Sequence, residues 1–201
     1  PFIDYLTLPG HEYFLDLGRG PVHFFALDLY MFGGTSQTGE TALWLKAGLA
    51  ASTSQWNIVY FHASPYTSGT GNGSYTPMRW PFEAWGADFV ISGHEHSYER
   101  VNVGNITYFV NGSGGRGLYS MGTPIAGSQA RDNTHNGAML VTVDSNQFNS
   151  KFYGAGNVLI DEYTKTSTGA TSAPMATNTP MPTLSPMPTT TASPIAPSTT
   201  I

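Results

Sequence analysis

The sequence predicts an α/β fold, and three observations predict it. Between residues 56 and 110, apolar runs four to six residues long alternate with helical patterns, reading strand, helix, strand and then strand again. The chain beyond Thr107 is mainly strand-like. The 201 residues are 40% hydrophobic and 13% aromatic but only 10% charged, with 23 Gly and 14 Pro, a mix that suits a strand-rich domain with long loops.

Residues 13–17 have strand character, Gly18-Arg19-Gly20-Pro21 punctuates, and residues 22–29 are apolar nearly throughout. Together they read as a hairpin at or near a sheet. After the loop Gly33-Gly34-Thr35-Ser36, residues 38–52 read as a helix. Thr38 can cap it, Glu40 sits in its first turn, and Leu45 and Leu49 are one turn apart. Residues 56–61 form a buried strand ending at His62. Residues 67–76, all Gly, Ser, Thr, Asn and Tyr, are expected to be an exposed, mobile loop. Residues 78–86 read as a short helix with Pro81 in its first turn, and residues 87–93 as a strand running out into a turn. Residues 107–110 form another strand, closed by Asn111-Gly112-Ser113-Gly114-Gly115. Residues 138–143 and 147–153 form a hairpin around Asp144-Ser145-Asn146, and residues 158–163 the last strand.

Composition changes abruptly after Tyr163. Residues 164–201 hold half of the prolines and a single charge, Lys165, among Thr, Ser, Ala and Met. Such a segment cannot bury a core, so the expected organisation is a domain over 1–163 and a disordered Thr/Pro-rich linker or tail over 164–201. Tracts of this kind tether extracytoplasmic modules. The expected location is therefore extracellular, periplasmic or at the cell surface, with the tail linking to a further module.

Several functions are disfavoured. The net charge is −5 and there is no Lys/Arg cluster, so no nucleic-acid patch is predicted. No apolar run is long enough to be a transmembrane segment. Cysteine is absent, which removes disulfides and thiolate ligands and leaves His, Asp, Glu and Asn for any metal site.

The chemistry is placed at Gly93-His94-Glu95-His96-Ser97-Tyr98-Glu99-Arg100. Residues two apart in an extended segment point to one side, so His94 and His96 can reach one point in space. Gly93 lets the backbone bend there. His62 ends the neighbouring predicted strand, and ligands of open α/β sheets sit at the C-terminal strand ends. Converging imidazoles suit a transition metal. A bare His-x-His is as well explained by two polar residues in an exposed turn; the flanking motif and His62 decide for a site. Of the other histidines, His11 reads as a surface residue, His23 as a satisfied sheet histidine and His135 as part of a polar loop. Glu95 is expected to point away from the ligands, and Glu99 and Arg100 to form an ion pair bracing the turn. The run Gly112-Ser113-Gly114-Gly115-Arg116-Gly117 lacks the Lys and the helix of a P-loop.

Val59-Tyr60-Phe61-His62 and Gly93-His94-Glu95-His96 resemble the last two metal motifs of the calcineurin-like metallophosphoesterases. Gly-His-x-His-x-Tyr-Glu-Arg, at 93–100, resembles the purple acid phosphatase branch. Gly20-Pro21-Val22-His23-Phe24-Phe25-Ala26-Leu27-Asp28 is similar to the strand before Val-x-x-His, and Tyr108-Phe109-Val110-Asn111-Gly112-Ser113-Gly114-Gly115 to the strand and turn after Gly-His-x-His. The resemblance implies a β-sandwich flanked by helices, present here as a C-terminal part-domain. It implies that His62 and His94 bind one ion and His96 a second, in a centre of two metal ions drawn from Fe, Zn and Mn. Such a pair spans a phosphate-ester substrate and generates hydroxide for in-line attack.

Gly-Asp-x-x-Tyr and Gly-Asn-His-Asp/Glu, which supply the family's remaining ligands, do not occur in the chain. They are expected upstream of Pro1, and this chain alone is expected to hold metal weakly and to turn over little. The implied activity of the intact protein is acid phosphatase-like hydrolysis. The rivals are a nucleotidase or phosphodiesterase of the same superfamily and a non-catalytic extracellular module that retains the fold.

Overall fold

The structure, a computed structural model, describes residues 15–29 and 34–167. His11, residues 13–14 of the first predicted strand and residues 168–201 of the predicted tail lie outside them. Ten strands are found among the described residues: β1 (Leu15–Arg19), β2 (Val22–Ala26), β3 (Trp56–Ala63), β4 (Phe89–Gly93), β5 (Tyr98–Val103), β6 (Ile106–Asn111), β7 (Ser128–Asp132), β8 (Gly137–Val143), β9 (Gln147–Gly154) and β10 (Val158–Thr166). The first seven form one sheet in the order β1-β2-β3-β4-β6-β5-β7; the last three form a second, β10-β9-β8. β2, β3, β4 and β6 run parallel, while β1, β5 and β7 join antiparallel. The fold is α/β, as the strand-helix alternation predicts.

The central strands are buried on both faces, which is why they read as continuous apolar runs rather than as alternations. One face packs Phe25, Val59, Phe61 and Val90 against Leu45 and Leu49 of helix α1 (Glu40–Ala51) and Phe82 of the one-turn helix α2 (Phe82–Trp85). The other packs Val22, Trp56, Ile58, Phe89 and Phe109 against Phe148 and Phe152 of the second sheet. The sandwich is closed by ring contacts: Phe89 stacks on Phe148 at 3.9 Å and Tyr98 on Phe152 at 4.0 Å between centroids.

Several expectations are corrected. Helix α1 is capped by Gly39, whose carbonyl accepts the Leu43 N–H; the Thr38 hydroxyl bonds Ser36 instead. The predicted helix at 78–86 splits into a 3-10 turn, Thr76–Met78, and α2, because Pro81 has no N–H to continue a helix through it. Gly86, at φ 98°, ends α2 in the left-handed conformation that glycine adopts freely. Strands β5 and β7 are absent from the sequence reading. The last strand extends to Thr166 rather than 163, with Lys165 Nζ 3.2 Å from Asp88 Oδ1.

Candidate metal centre

The C-terminal ends of parallel strands β3 and β4 lie side by side, and the three predicted histidines are there. Pairing slips by one residue at the end of β3: Phe61 faces Ser92, Ala63 faces Gly93, and His62 is the extra residue between them. A bulge of this kind re-aims a side chain, and bulges gather beside functional sites. Phe61 and Ala63 point into the core while His62 is exposed.

β4 stops at Gly93. His94 then adopts φ 63°, a left-handed conformation uncommon for a residue with a Cβ. Two tight hydrogen bonds follow, Glu95 N–H to the Gly93 carbonyl at 2.7 Å and Ser97 N–H to the Glu95 carbonyl at 2.8 Å. The histidines are therefore carried on a tight turn, not on the extended segment that was expected to present them. A Cβ on Gly112 would run into the Glu95 carbonyl, so the strand β6 exit needs glycine where it passes this turn.

His62 Nε2 and His94 Nδ1 are 2.9 Å apart, with their rings at 61°. In that contact one ring nitrogen donates and the other accepts. Burial, reinforced by the charges His94 and His96 would carry if protonated, holds the His62 pKa below the usual imidazole value. That favours the neutral form, the form that binds metals. His96 Nδ1 is 2.9 Å from the Gly117 carbonyl, which can only accept, so Nδ1 carries a proton and Nε2 is the ring nitrogen left for a ligand. Tyr119 stacks on the His96 ring at 4.0 Å and 17°. Neither Gly117 nor Tyr119 has a signal in the sequence.

Glu95 points away from the histidines, and it does more than avoid them. It is fully buried and accepts the N–H groups of Gly71 at 2.8 Å, Asn72 at 2.6 Å and Gly73 at 3.1 Å. Asn72 Nδ2 also donates to the His94 carbonyl at 2.7 Å. Glu99, equally buried, accepts the Ser68 N–H and Oγ–H, both at 2.6 Å, together with Thr67 Oγ1 and Ser128 Oγ. The loop 67–76 is exposed at 70–72 and 75–76, as expected, but 67–69 are buried and two carboxylates pin it, which the expectation of a mobile loop does not include.

The expected Glu99–Arg100 pair is corrected too. Consecutive strand residues face opposite sides. Arg100 reaches the second sheet, where Nε and Nη2 bond Asp161 at 2.7 and 3.0 Å, and Tyr98 donates to the same carboxylate at 2.8 Å. Burial and the Asp161 carboxylate push the Tyr98 hydroxyl pKa upward. His23 bonds Ser52 Oγ at 2.8 Å, in keeping with its reading as a sheet histidine. His135 bonds Asp132 at 3.1 Å in the loop before β8. A groove of about 380 Å³ between Tyr66, Arg79, Asn102 and Ile125 is lined by none of the three histidines.

Residues 2–98 match the family described as calcineurin-like phosphoesterase. The match covers 97 of the 201 residues, just under half of the chain, and is a likeness to that family. The solved structures similar to the chain agree on the fold. A purple acid phosphatase from yellow lupin superimposes with a TM-score of 0.64 at 18% identity, over 76% of this chain and 32% of that one. GAP50, the anchor in the inner membrane complex of Plasmodium, gives 0.62 at 18% identity over 77% and 53%. PhoD gives 0.54 at 12% identity over 77% and 42%. The chain thus spans between a third and about half of the length of these proteins. No curated protein matches the chain by sequence.

The donors fit a metal in part. His62 Nε2 and His94 Nδ1 meet at 2.9 Å on adjacent strand ends, and imidazole nitrogens are donors that transition metals take. His96 has a free Nε2 and a carbonyl fixing its other nitrogen, as ligating histidines usually do. No group of three or more His, Cys, Asp or Glu side chains that could hold an ion is found among the described residues. One Asp-x-Gly triplet, Asp16-Leu17-Gly18, does occur, but in β1, with β2 between it and β3.

Proposed function

We propose that this chain carries the histidine half of a dinuclear metal centre that hydrolyses phosphate esters in the manner of a purple acid phosphatase. The observation that carries the reading is the meeting of His62 Nε2 and His94 Nδ1 at 2.9 Å on adjacent strand ends, with His96 two residues on and held by Gly117. His62 and His94 are the ligands of one ion and His96 of the other. Such ions supply a hydroxide at neutral pH and offset charge on the phosphoryl oxygens. The chain's own contribution is to bring three imidazoles together and orient them at a sheet edge. The bridging carboxylate, the tyrosine and the asparagine of the family's centre belong to its earlier motifs, and the matched plant enzyme is three times as long as the region it shares with this chain. A phosphate-ester substrate, a location outside the cytoplasm and a Thr/Pro-rich linker to another module complete the proposal.

Titration with Zn²⁺ or Mn²⁺ tests it. The chain is expected to take up metal weakly, H94A and H62A to abolish the tighter site, and the chain alone to show negligible p-nitrophenyl phosphate hydrolysis. Metal uptake indifferent to both substitutions would sink the reading. A second reading, a module that keeps the fold without catalysis, is favoured by the missing carboxylates among the described residues. One similar protein, GAP50, is described as an anchor. Phosphatase activity of the chain joined to a segment carrying Gly-Asp-x-x-Tyr and Gly-Asn-His-Asp/Glu decides between them.

A further inference from the structure

The loop that fixes His96 also carries a cation with no hydrogen bond or ion pair among the described residues. Seven of the chain's eight Lys and Arg side chains are described. Arg79 lies over the Tyr66 ring and bonds the Pro65 carbonyl; Arg131 bonds the Gly122 carbonyl. Arg100, Lys151 and Lys165 pair with Asp161, Glu162 and Asp88. Lys46 and Arg116 are left with no such contact among the described residues. Lys46 is on the exposed side of α1. Arg116 immediately precedes Gly117, whose carbonyl holds His96.

The backbone under Arg116 is fixed. Asn136 Nδ2 donates to the carbonyls of both Arg116 and Ser113 at 3.0 Å, and Tyr119 N–H to the His96 carbonyl at 3.0 Å. The side chain is exposed. An exposed guanidinium on a rigid base, one residue from the anchor of a histidine site, suits capture of an anion with two or more oxygens in one plane. The carboxylates of that turn, Glu95 and Glu99, are buried and taken up by donors of the loop 67–76, so they do not compete.

We propose that Arg116 is the substrate-anion contact of this site, closing its guanidinium on the phosphoryl oxygens of a phosphate ester held at His62, His94 and His96. The assignment rests on the metal-centre reading given above. It adds to that reading a specificity residue on the loop after β6.

The test is calorimetric titration of inorganic phosphate into the Mn²⁺-loaded full chain, with Mn²⁺ affinity measured separately for every variant. R116Q is expected to weaken phosphate binding about tenfold or more, the scale of a lost charge-assisted hydrogen bond, with Mn²⁺ affinity unchanged. R116K should recover part of the loss, because it restores the charge without the fork. K46Q, which removes the other unengaged cation far along the helix, should change neither affinity. Phosphate affinity equal in wild type and R116Q overturns the assignment. So does an equal fall in R116Q and K46Q, which would report net charge alone. Mn²⁺ uptake that H94A leaves untouched overturns the metal reading and Arg116 with it; intact, H94A-sensitive uptake with R116Q indifferent overturns Arg116 only. Both cations are exposed, so the variants should fold, and matching thermal melts establish it.

Discussion

The interface between the two sheets and the turn that carries the histidines are held together by different physics. The interface is aromatic: Trp56, Phe89, Phe109, Phe148 and Phe152 are each almost fully buried, with one bidentate ion pair, Arg100–Asp161, set among them. The turn is polar: two buried carboxylates, Glu95 and Glu99, hold the loop 67–76 through backbone N–H and hydroxyl donors. Apolar packing tolerates conservative change and fails by volume. A polar clamp fails by the loss of one acceptor, because it strands several donors at once, with Thr67 and Ser68 among the buried ones.

The largest effect should come from the aromatic region. Phe148 is fully buried and faces Trp56, Phe89 and Phe109. Phe148→Ala is expected to cost about 3–5 kcal/mol in urea unfolding, the range for a truncated core phenylalanine. A loss below about 1 kcal/mol would mean that the second sheet is not packed on the first as described.

The ion pair should come next. In Asp161, burial works to raise the pKa, but hydrogen bonds from Arg100 and Tyr98 and the Arg100 charge outweigh it and hold the carboxyl below its usual range. A carboxyl depressed in the folded state stabilises at pH above its unfolded value, and that stability is lost as pH falls through the folded one. Stability should therefore decline as the pH drops below the ordinary carboxylate range. Asp161→Asn should lose about 3 kcal/mol near neutral pH, since it strands the Arg100 guanidinium, and should flatten that acid limb. Parallel pH-stability curves for the two proteins would contradict this.

Much of this region is legible in the sequence. β3, β4 and β6 announce themselves because both of their faces are buried, and the β8–β9 hairpin does so by its Asp144-Ser145-Asn146 turn. The polar region is not. Tyr98-Glu99-Arg100 reads as a turn because two of its three residues are charged, yet it begins β5; Glu99 finds its donors 31 residues upstream and Arg100 its partner 61 residues downstream. β7 is Ser-Gln-Ala-Arg-Asp, with nothing apolar but alanine to mark it. The loop 67–76 looks mobile by composition, since what pins it is supplied by residues distant in sequence. His62 and His94 are named by their motifs; the left-handed turn at His94 and the support from Gly117 and Tyr119 come only from the folded chain.

A smaller effect on stability, but a diagnostic one, is expected at Glu95. Glu95→Gln keeps one acceptor oxygen and replaces the other with donors, so it should cost about 1–3 kcal/mol. Amide exchange at Gly71, Asn72 and Gly73 should quicken ahead of the rest of the chain. Metal affinity should fall about 10–100-fold, the usual loss when the support of a ligand is removed. Quickened exchange with metal affinity intact would show that the loop and the histidines are independent.

The smallest difference expected separates two substitutions at one residue. His94 sits at φ 63°, where a Cβ is crowded and glycine is not. His94→Ala and His94→Gly both delete the imidazole and its contact with His62, so both should abolish the tighter metal site. They differ only in the Cβ. Elsewhere in a chain, glycine is the less stable choice by about 0.5–1 kcal/mol, because it has more freedom to lose on folding. Here the left-handed conformation should cost alanine about 1–2 kcal/mol, more than that entropy term, so His94→Gly should be the more stable of the two. If His94→Ala melts higher, the turn relaxes once the imidazole is gone. The left-handed backbone would then be imposed by the ring's contact with His62, rather than by the tight hydrogen bonds through Gly93, Glu95 and Ser97.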